Sequence, residues 1–281
     1  MKRNVLRRIL HVVLFIVIMY LLIELPNAAK RFIAEPDIGL MVASLLSLLV
    51  YPLMYAAVII FLRWEGNTSI AELGGDIHEH TVLDLIIGLV AGIAGSGMVV
   101  FLALVFDGQL RPIAEITPGL VLGNAIVTVL VSYVEELAYR GYLLTRSSKL
   151  VLGKPFGIIL SSIVFSLLHY SWWVPLGVVP LHLILLFSFN LFLGGIVLSL
   201  MYFLSGRKLW APIGFHFAWN IIAYVAFPVF PTEPVENPAL FQIEWGITTI
   251  PAFLVGLAVA WLLLNFKQKK DETGGINPPL D

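Results

Sequence analysis

The chain has no cysteine. That absence excludes disulfides, a thiol nucleophile, thiolate metal ligands and palmitoylation. Charge is scarce as well: 12% of the 281 residues are Asp, Glu, Lys or Arg, and 59% are hydrophobic. Soluble domains carry about 25% charged residues, so this balance is that of a membrane protein. The formal net charge of −1 gives no support to nucleic-acid binding. No HExxH pattern is present, which removes the zincin type of site. No inverted duplication of the kind found in many transporters is visible either.

What is there, mostly, is long apolar runs. A bilayer core asks for about 20 apolar residues per helix. Eight runs qualify as expected spans: 9–29, 38–62, 82–106, 117–139, 156–179, 181–204, 209–229 and 244–266. The fifth and sixth are separated only by Val179-Pro180, which leaves room for a re-entrant segment. The expected fold is therefore all-α, a polytopic membrane bundle of about eight transmembrane helices. Residues 1–266 form one domain, and 267–281, rich in charge, Gly and Pro, form a disordered tail. With the N-terminus in the cytoplasm and eight spans alternating, fourteen Lys and Arg fall inside against Lys30, Arg31 and Arg111 outside. That asymmetry follows the positive-inside rule. It predicts an integral protein, of the plasma membrane, with both termini cytoplasmic. Residues 63–81 read as a polar cytoplasmic loop.

Between Thr117 and Tyr133 there is no charge at all; then Glu135, Glu136 and Arg140 arrive together. A charge at the bilayer centre costs about 2.5–3.5 kcal/mol or more and marks a functional site by default. Glu136 and Arg140 are four apart, on one helical face, in the favourable acid-first order. Glu135 points about 100° away and keeps a carboxylate free for water or for a partner on another helix. The plain alternative is that the charges only pin helices together. Partners exist, however. Phe165 and His169 are four apart in the fifth span, and His216 and Asn220 are four apart in the seventh. Other acids, such as Glu24, Asp84, Asp107 and Glu244, fall near span ends.

A carboxylate beside a neutral imidazole can hold a water and take its proton. A second histidine and an amide can donate to an oxyanion. The same groups, Glu135, His169 and His216, could instead ligate zinc with an open position for water. A proton-coupled transporter or a catalytically silent scaffold would also keep such residues inside the membrane. Ser96 among glycines with His216 could mimic a serine dyad, but small residues for close helix packing are the simpler reading. His78, Glu79 and His80 read as an exposed polar loop, and His11 and His182 as interfacial residues.

"EELAYRG", "FSLLH" and "GFHFAWN" resemble the three motifs of the CAAX protease and bacteriocin-processing family, the type II CAAX prenyl endopeptidase or Abi family: EExxxR, FxxxH and HxxxN, in that order. The resemblance covers residues 130–225 and implies an intramembrane endopeptidase acting on a membrane-associated peptide or protein, in some members a prenylated one. It implies that Glu135 and His169 activate the water and that Glu136 with Arg140 supports the site. His216 and Asn220 would form the oxyanion hole, and Phe165 would line the pocket. The free carboxylate of Glu135 favours a metal-independent glutamate mechanism requiring no cofactor, with zinc as the alternative. Tyr170, Trp172 and Trp173 are candidates for a lipid-facing cleft.

Overall fold

The computed structural model describes residues 2–66, 69–150, 152–170 and 179–274. Eight long helices appear in the expected order: α1 (Lys2–Phe32), α2 (Pro36–Trp64), α3 (Thr81–Val105), α4 (Pro118–Glu136), α5 (Gly153–Leu168), α6 (Leu181–Leu204), α7 (Trp210–Ala226) and α8 (Thr249–Gly274). No strand occurs among the described residues. α4 does not stop at Glu136. It continues through a π-helical stretch, Leu137–Leu144, and a last α-turn, Thr145–Ser147.

Six of these segments are long and apolar enough to cross a membrane: α1, α2, α3, α6, α8 and the continuous Pro118–Ser147 helix. The outer faces carry large apolar side chains such as Leu48 (71% exposed) and Leu254 (63%), which suit a lipid solvent and would be an aggregation hazard in water. This is a polytopic helical membrane bundle. The expectation of eight full spans needs correction at two places. α5 has 16 residues and α7 has 17, about 24 and 26 Å at 1.5 Å per residue, against a hydrocarbon core of about 30 Å. α5 ends at Leu168, where the expected span ran on to 179; residues 171–178, with Trp172 and Trp173, lie outside the described residues. α7 ends before Phe227-Pro228, the start of a proline-rich segment that no helix can follow.

Two apolar cores run side by side. One gathers Phe15, Phe61, Tyr142, Phe165 and Leu183 from α1, α2, the π-helical stretch, α5 and α6. The other gathers Val99, Met201, Phe215, Trp219 and Phe253 from α3, α6, α7 and α8. α3 and α7 approach most closely, and small residues make that possible. A Cβ on Gly88 would lie 2.1 Å from the Ala211 carbonyl oxygen, and one on Gly92 would lie 2.6 Å from that of Phe215. In turn, a Cβ on Gly214 would meet the Leu85 carbonyl at 2.3 Å. Backbones in near contact gain dispersion that lipid cannot supply. Ser96 belongs to this seam: it is buried and its hydroxyl donates to the Gly92 carbonyl at 2.7 Å.

Within the expected polar loop, residues 69–81 are built as a cap on the bundle. A 3₁₀ turn, Ile70–Leu73, ends in Gly74 at φ +85, and Leu209 N–H donates to the Gly74 carbonyl at 3.0 Å. Trp210 Nε1 donates to the Asp76 carbonyl, and Lys208 Nζ bonds both Asp76 carboxylate oxygens at 2.7 and 2.8 Å. Lys208 holds the Asp76 carboxyl below the ordinary carboxylate range. The contribution of that pair is therefore present above the ordinary carboxylate pKa and lost as pH falls through the lowered one. Asp84 is fully buried and pairs with Lys267 at 2.7 Å, Gln268 Nε2 donates to the Leu204 carbonyl, and Arg8 Nη1 donates to the Lys149 carbonyl, so the start of α1 and the end of α8 lie at the same end of the bundle. α8 continues past Lys267 to Gly274, where composition suggested a disordered tail; no Gly or Pro interrupts 267–273, and its Lys, Gln and Glu are good helix formers. Residues 275–281 lie outside the described residues. Glu24 and His11 are both 6% exposed: Glu24 accepts from Asn27 Nδ2, and the tilted rings of His11 and Trp64 lie with centroids 4.4 Å apart.

Glycine substitutions test the α3–α7 seam. Gly88→Ala should lower stability in detergent by about 1–3 kcal/mol, the usual cost of overpacking. Gly97, on the same helix but with nothing within 4 Å of its would-be Cβ, should accept Ala with a gain of roughly 0.5–1 kcal/mol. Thermal unfolding of both variants distinguishes the seam from a general effect of α3.

Candidate active site

The seven residues singled out in the sequence come together between the two cores. Glu135 and Glu136 end the α-helical part of α4, and Arg140 sits one turn on, inside the π-helical stretch. Glu136 is 0% exposed and Arg140 1%, and Arg140 Nη1 donates to Glu136 Oε1 at 2.9 Å. The Arg140 guanidinium also lies over the Phe165 ring, 4.2 Å from its centroid, a cation–π contact that strengthens where water is excluded. Phe165 thus does more than line a pocket. Tyr139 meets it edge-on at 5.3 Å, and the rings of His169 and His216 lie 4.3 and 6.0 Å from its centroid.

The short length of α5 decides the position of His169. It is the C-cap residue, and its Nδ1 lies 2.6 Å from the Phe165 carbonyl oxygen. A carbonyl only accepts, so Nδ1 carries the proton. The other nitrogen, Nε2, faces Glu135 Oε2 at 3.6 Å. His216 repeats the arrangement from α7. Its Nδ1 lies 2.9 Å from Glu136 Oε1, the same oxygen that Arg140 binds, so Nδ1–H donates to that carboxylate. Its Nε2 faces Glu135 Oε2 at 3.9 Å. Two imidazoles with fixed tautomers therefore present the same nitrogen to one carboxylate oxygen, and that oxygen is buried without a hydrogen-bond partner.

These groups open onto a cavity of about 300 Å³ that Asn220 also lines, one helical turn beyond His216. Among the described residues, no group of three His, Cys, Asp or Glu side chains is arranged to hold a metal ion. His78, Glu79 and His80 do not line this cavity. Ser96 and His182 do not line the cavity.

Two contributions were not expected from the sequence. Tyr51 comes from α2 and faces Glu135 across the cavity. Glu244, read as a residue at a span end, lines the cavity from the turn before α8. Its backbone is left-handed, φ +66, a conformation that side chains other than Gly, Asn and Asp rarely adopt. Buried partners hold it there: Asn190 Nδ2 donates to the Glu244 and Gly246 carbonyls at 2.8 and 2.9 Å, and Glu244 N–H donates to Thr249 Oγ1 at 3.0 Å. Trp245 stacks on Phe187 beneath the turn, centroids 4.1 Å apart. The only hint in the sequence was a lone glutamate at the start of an apolar run.

Residues 117–222 match the family described as type II CAAX prenyl endopeptidase Rce1-like. That stretch of the chain is similar to the Rce1-like family. The match begins at the N-cap of α4 and ends within α7, so it holds all three motif-bearing helices; α1 to α3 and α8 lie outside it. No curated protein and no solved structure was found to match the chain. The Rce1-like family is one of intramembrane CAAX-type proteases, which accords with a polar site set within apolar helices.

Removing one partner of the buried pair should be costly. Arg140→Leu leaves Glu136 uncompensated and should destabilise the protein by about 3–5 kcal/mol. The double variant Glu136→Gln with Arg140→Leu should lose markedly less. Thermal unfolding of the two singles and the double reads the coupling; additive losses would mean that the pair does not act as a unit.

Proposed function

We propose that this protein hydrolyses a peptide bond of a membrane-associated substrate, of CAAX type and prenylated, with a water activated by Glu135 and His169. The observation that carries this reading is the convergence of two histidine Nε2 atoms on Glu135 Oε2 at 3.6 and 3.9 Å. Each separation is too long for a direct hydrogen bond and suits a single bridging water. His169 Nδ1–H is committed to the Phe165 carbonyl, which leaves Nε2 of the neutral ring as an acceptor beside the carboxylate. Glu135 takes the proton as the water oxygen attacks the scissile carbonyl, and returns it to the leaving amine when the C–N bond breaks.

Charge developing on the carbonyl oxygen needs donors. Asn220 supplies an amide N–H₂ at the cavity wall. His216 donates through Nε2 only when doubly protonated, because its Nδ1–H is already given to Glu136. In the neutral form it orients the site instead. Glu136 and Arg140 neither bind the water nor leave their pair; they fix the His216 ring and, through Phe165, the wall behind His169. No step here passes through a metal.

The end of the bundle where α1 starts and α8 finishes carries the lysine and arginine excess. The positive-inside rule assigns that end to the cytoplasm, and a plasma-membrane location fits the same reading.

A quenched-fluorescent prenylated CAAX peptide, cleaved by the full-length protein in detergent, tests the reading. Glu135→Ala and His169→Ala should each lower the rate by about 10²–10⁴, the span of general acid–base contributions. Asn220→Ala should cost about 10²–10³, as for a lost oxyanion donor. A zinc chelator should leave wild-type cleavage unchanged; loss on chelation with recovery on added zinc would replace the glutamate mechanism by a metal-dependent one.

A further inference from the structure

At the end of the bundle where α1 starts and α8 finishes, away from the site, lies a second cavity of about 470 Å³. It is enclosed by the Ile70–Leu73 turn, the connection from α4 to α5 and the turn between α6 and α7. Arg146, Lys149, Lys154, Arg207 and Lys208 line it, against a single carboxylate, Glu72. A topological excess of cations requires only that they lie at one end of the helices. It does not require five of them around one hollow.

Some of that charge is already answered. Arg146 Nε binds Glu65 at 2.7 Å, and Lys208 binds Asp76. Lys149, Lys154 and Arg207 have no ion pair among the described residues, and Lys154 rests over the Phe203 ring at 5.3 Å. Arg146 is only 8% exposed, yet its Nη2 has no acceptor. Thr145 and Ser148 add hydroxyls to the wall, and Ser148 Oγ also lacks a partner. The first residues of α5, Gly153 and Lys154, form part of the same wall. That helix runs for 16 residues, its Gly153 N–H donates to the Leu150 carbonyl at 3.1 Å and its third residue is Pro155, so the side chains rather than its amides supply the donors. Burial, with the neighbouring Arg146 charge, pulls Lys149 below the ordinary lysine range, so like charges are crowded here.

We propose that this cavity binds a phosphate-bearing anion, either the headgroup of an acidic phospholipid or free phosphate. A buried guanidinium with an unused N–H, ammonium groups without counterions and a hydroxyl without a partner are the parts of such a site. With this end at the cytoplasmic face, as the lysine and arginine excess implies, the cavity lies on the side where acidic phospholipids are concentrated. Glu72 at the rim repels a second anion and limits the site to one.

Native mass spectrometry of the full-length protein in detergent tests the proposal, with phosphatidic acid and phosphatidylcholine as lipid probes and inorganic phosphate as competitor. Lys154→Gln with Arg207→Gln alters two exposed side chains that the fold does not need. It should lower phosphatidic acid retention about tenfold. Arg7→Gln with Arg63→Gln, exposed cations at the same end but outside the cavity, should leave it unchanged. Displacement of the lipid by millimolar phosphate would assign the site to the free ion, and retention would assign it to the headgroup. Equal retention by wild type and the cavity variant, equal loss in the control variant, or no binding of either probe by wild type would overturn the proposal.

Discussion

One buried ion pair organises the site. Taking Glu136 and Arg140 out of water costs several kcal/mol per ion, and at 2.9 Å they answer each other's charge. The geometry goes further than mutual neutralisation. Glu136 Oε1 also receives His216 Nδ1–H, and the far face of Arg140 rests on Phe165, whose carbonyl takes His169 Nδ1–H. Helices α4, α5 and α7 are joined through those two side chains. The tautomers of both histidines and the direction of both Nε2 atoms follow from contacts to this pair and to Phe165. Glu135, one residue away on the helix, is left with its carboxylate oxygen aimed at both rings.

A charged cluster holds its geometry only if the helices around it cannot slide. Here α7 is locked by backbone contact with α3, along the small residues Gly88, Gly92 and Gly214. The glycine seam and the histidine lie on different faces of α7, so one fixes the other without touching the chemistry. The Asn190 and Thr249 clamp on Glu244 works similarly at the cavity mouth, where hydrogen bonds to backbone replace interhelical contact.

How much of this the sequence carried depends on the range of the interaction. The Glu136–Arg140 pair was legible because it is local, four residues apart on one helix. The four-residue spacing of Phe165 and His169 was legible too, although their carbonyl–imidazole bond arises at a helix end that hydropathy could not see. Apolar content marks a span without marking where its hydrogen bonding stops, so α5 and α7 were read too long. Glu244 and Tyr51 reach the site through tertiary packing from distant segments, and no local pattern announces that. The cap at residues 69–81 read as a loop because its order comes from Lys208, Leu209 and Trp210, more than a hundred residues away.

The π-helical stretch at Leu137–Leu144 has a consequence for how this helix tolerates change. Hydrogen bonds that skip one residue more than in an α-helix absorb an extra residue without lengthening the helix by a full step. The stretch therefore sets the angular phase between its two flanks. Upstream stands the carboxylate pair; downstream stand Thr145, Arg146 and Ser148. Were the same residues to wind as ordinary α-helix, the extra residue would no longer be absorbed and the downstream flank would turn by about 100° against the upstream one. Arg146 would swing off Glu65, and Tyr142 would leave the Phe15–Phe61 cluster. The length of this segment is thus a form of information in its own right: it keys the two ends of the helix to each other, independently of which apolar residues fill it.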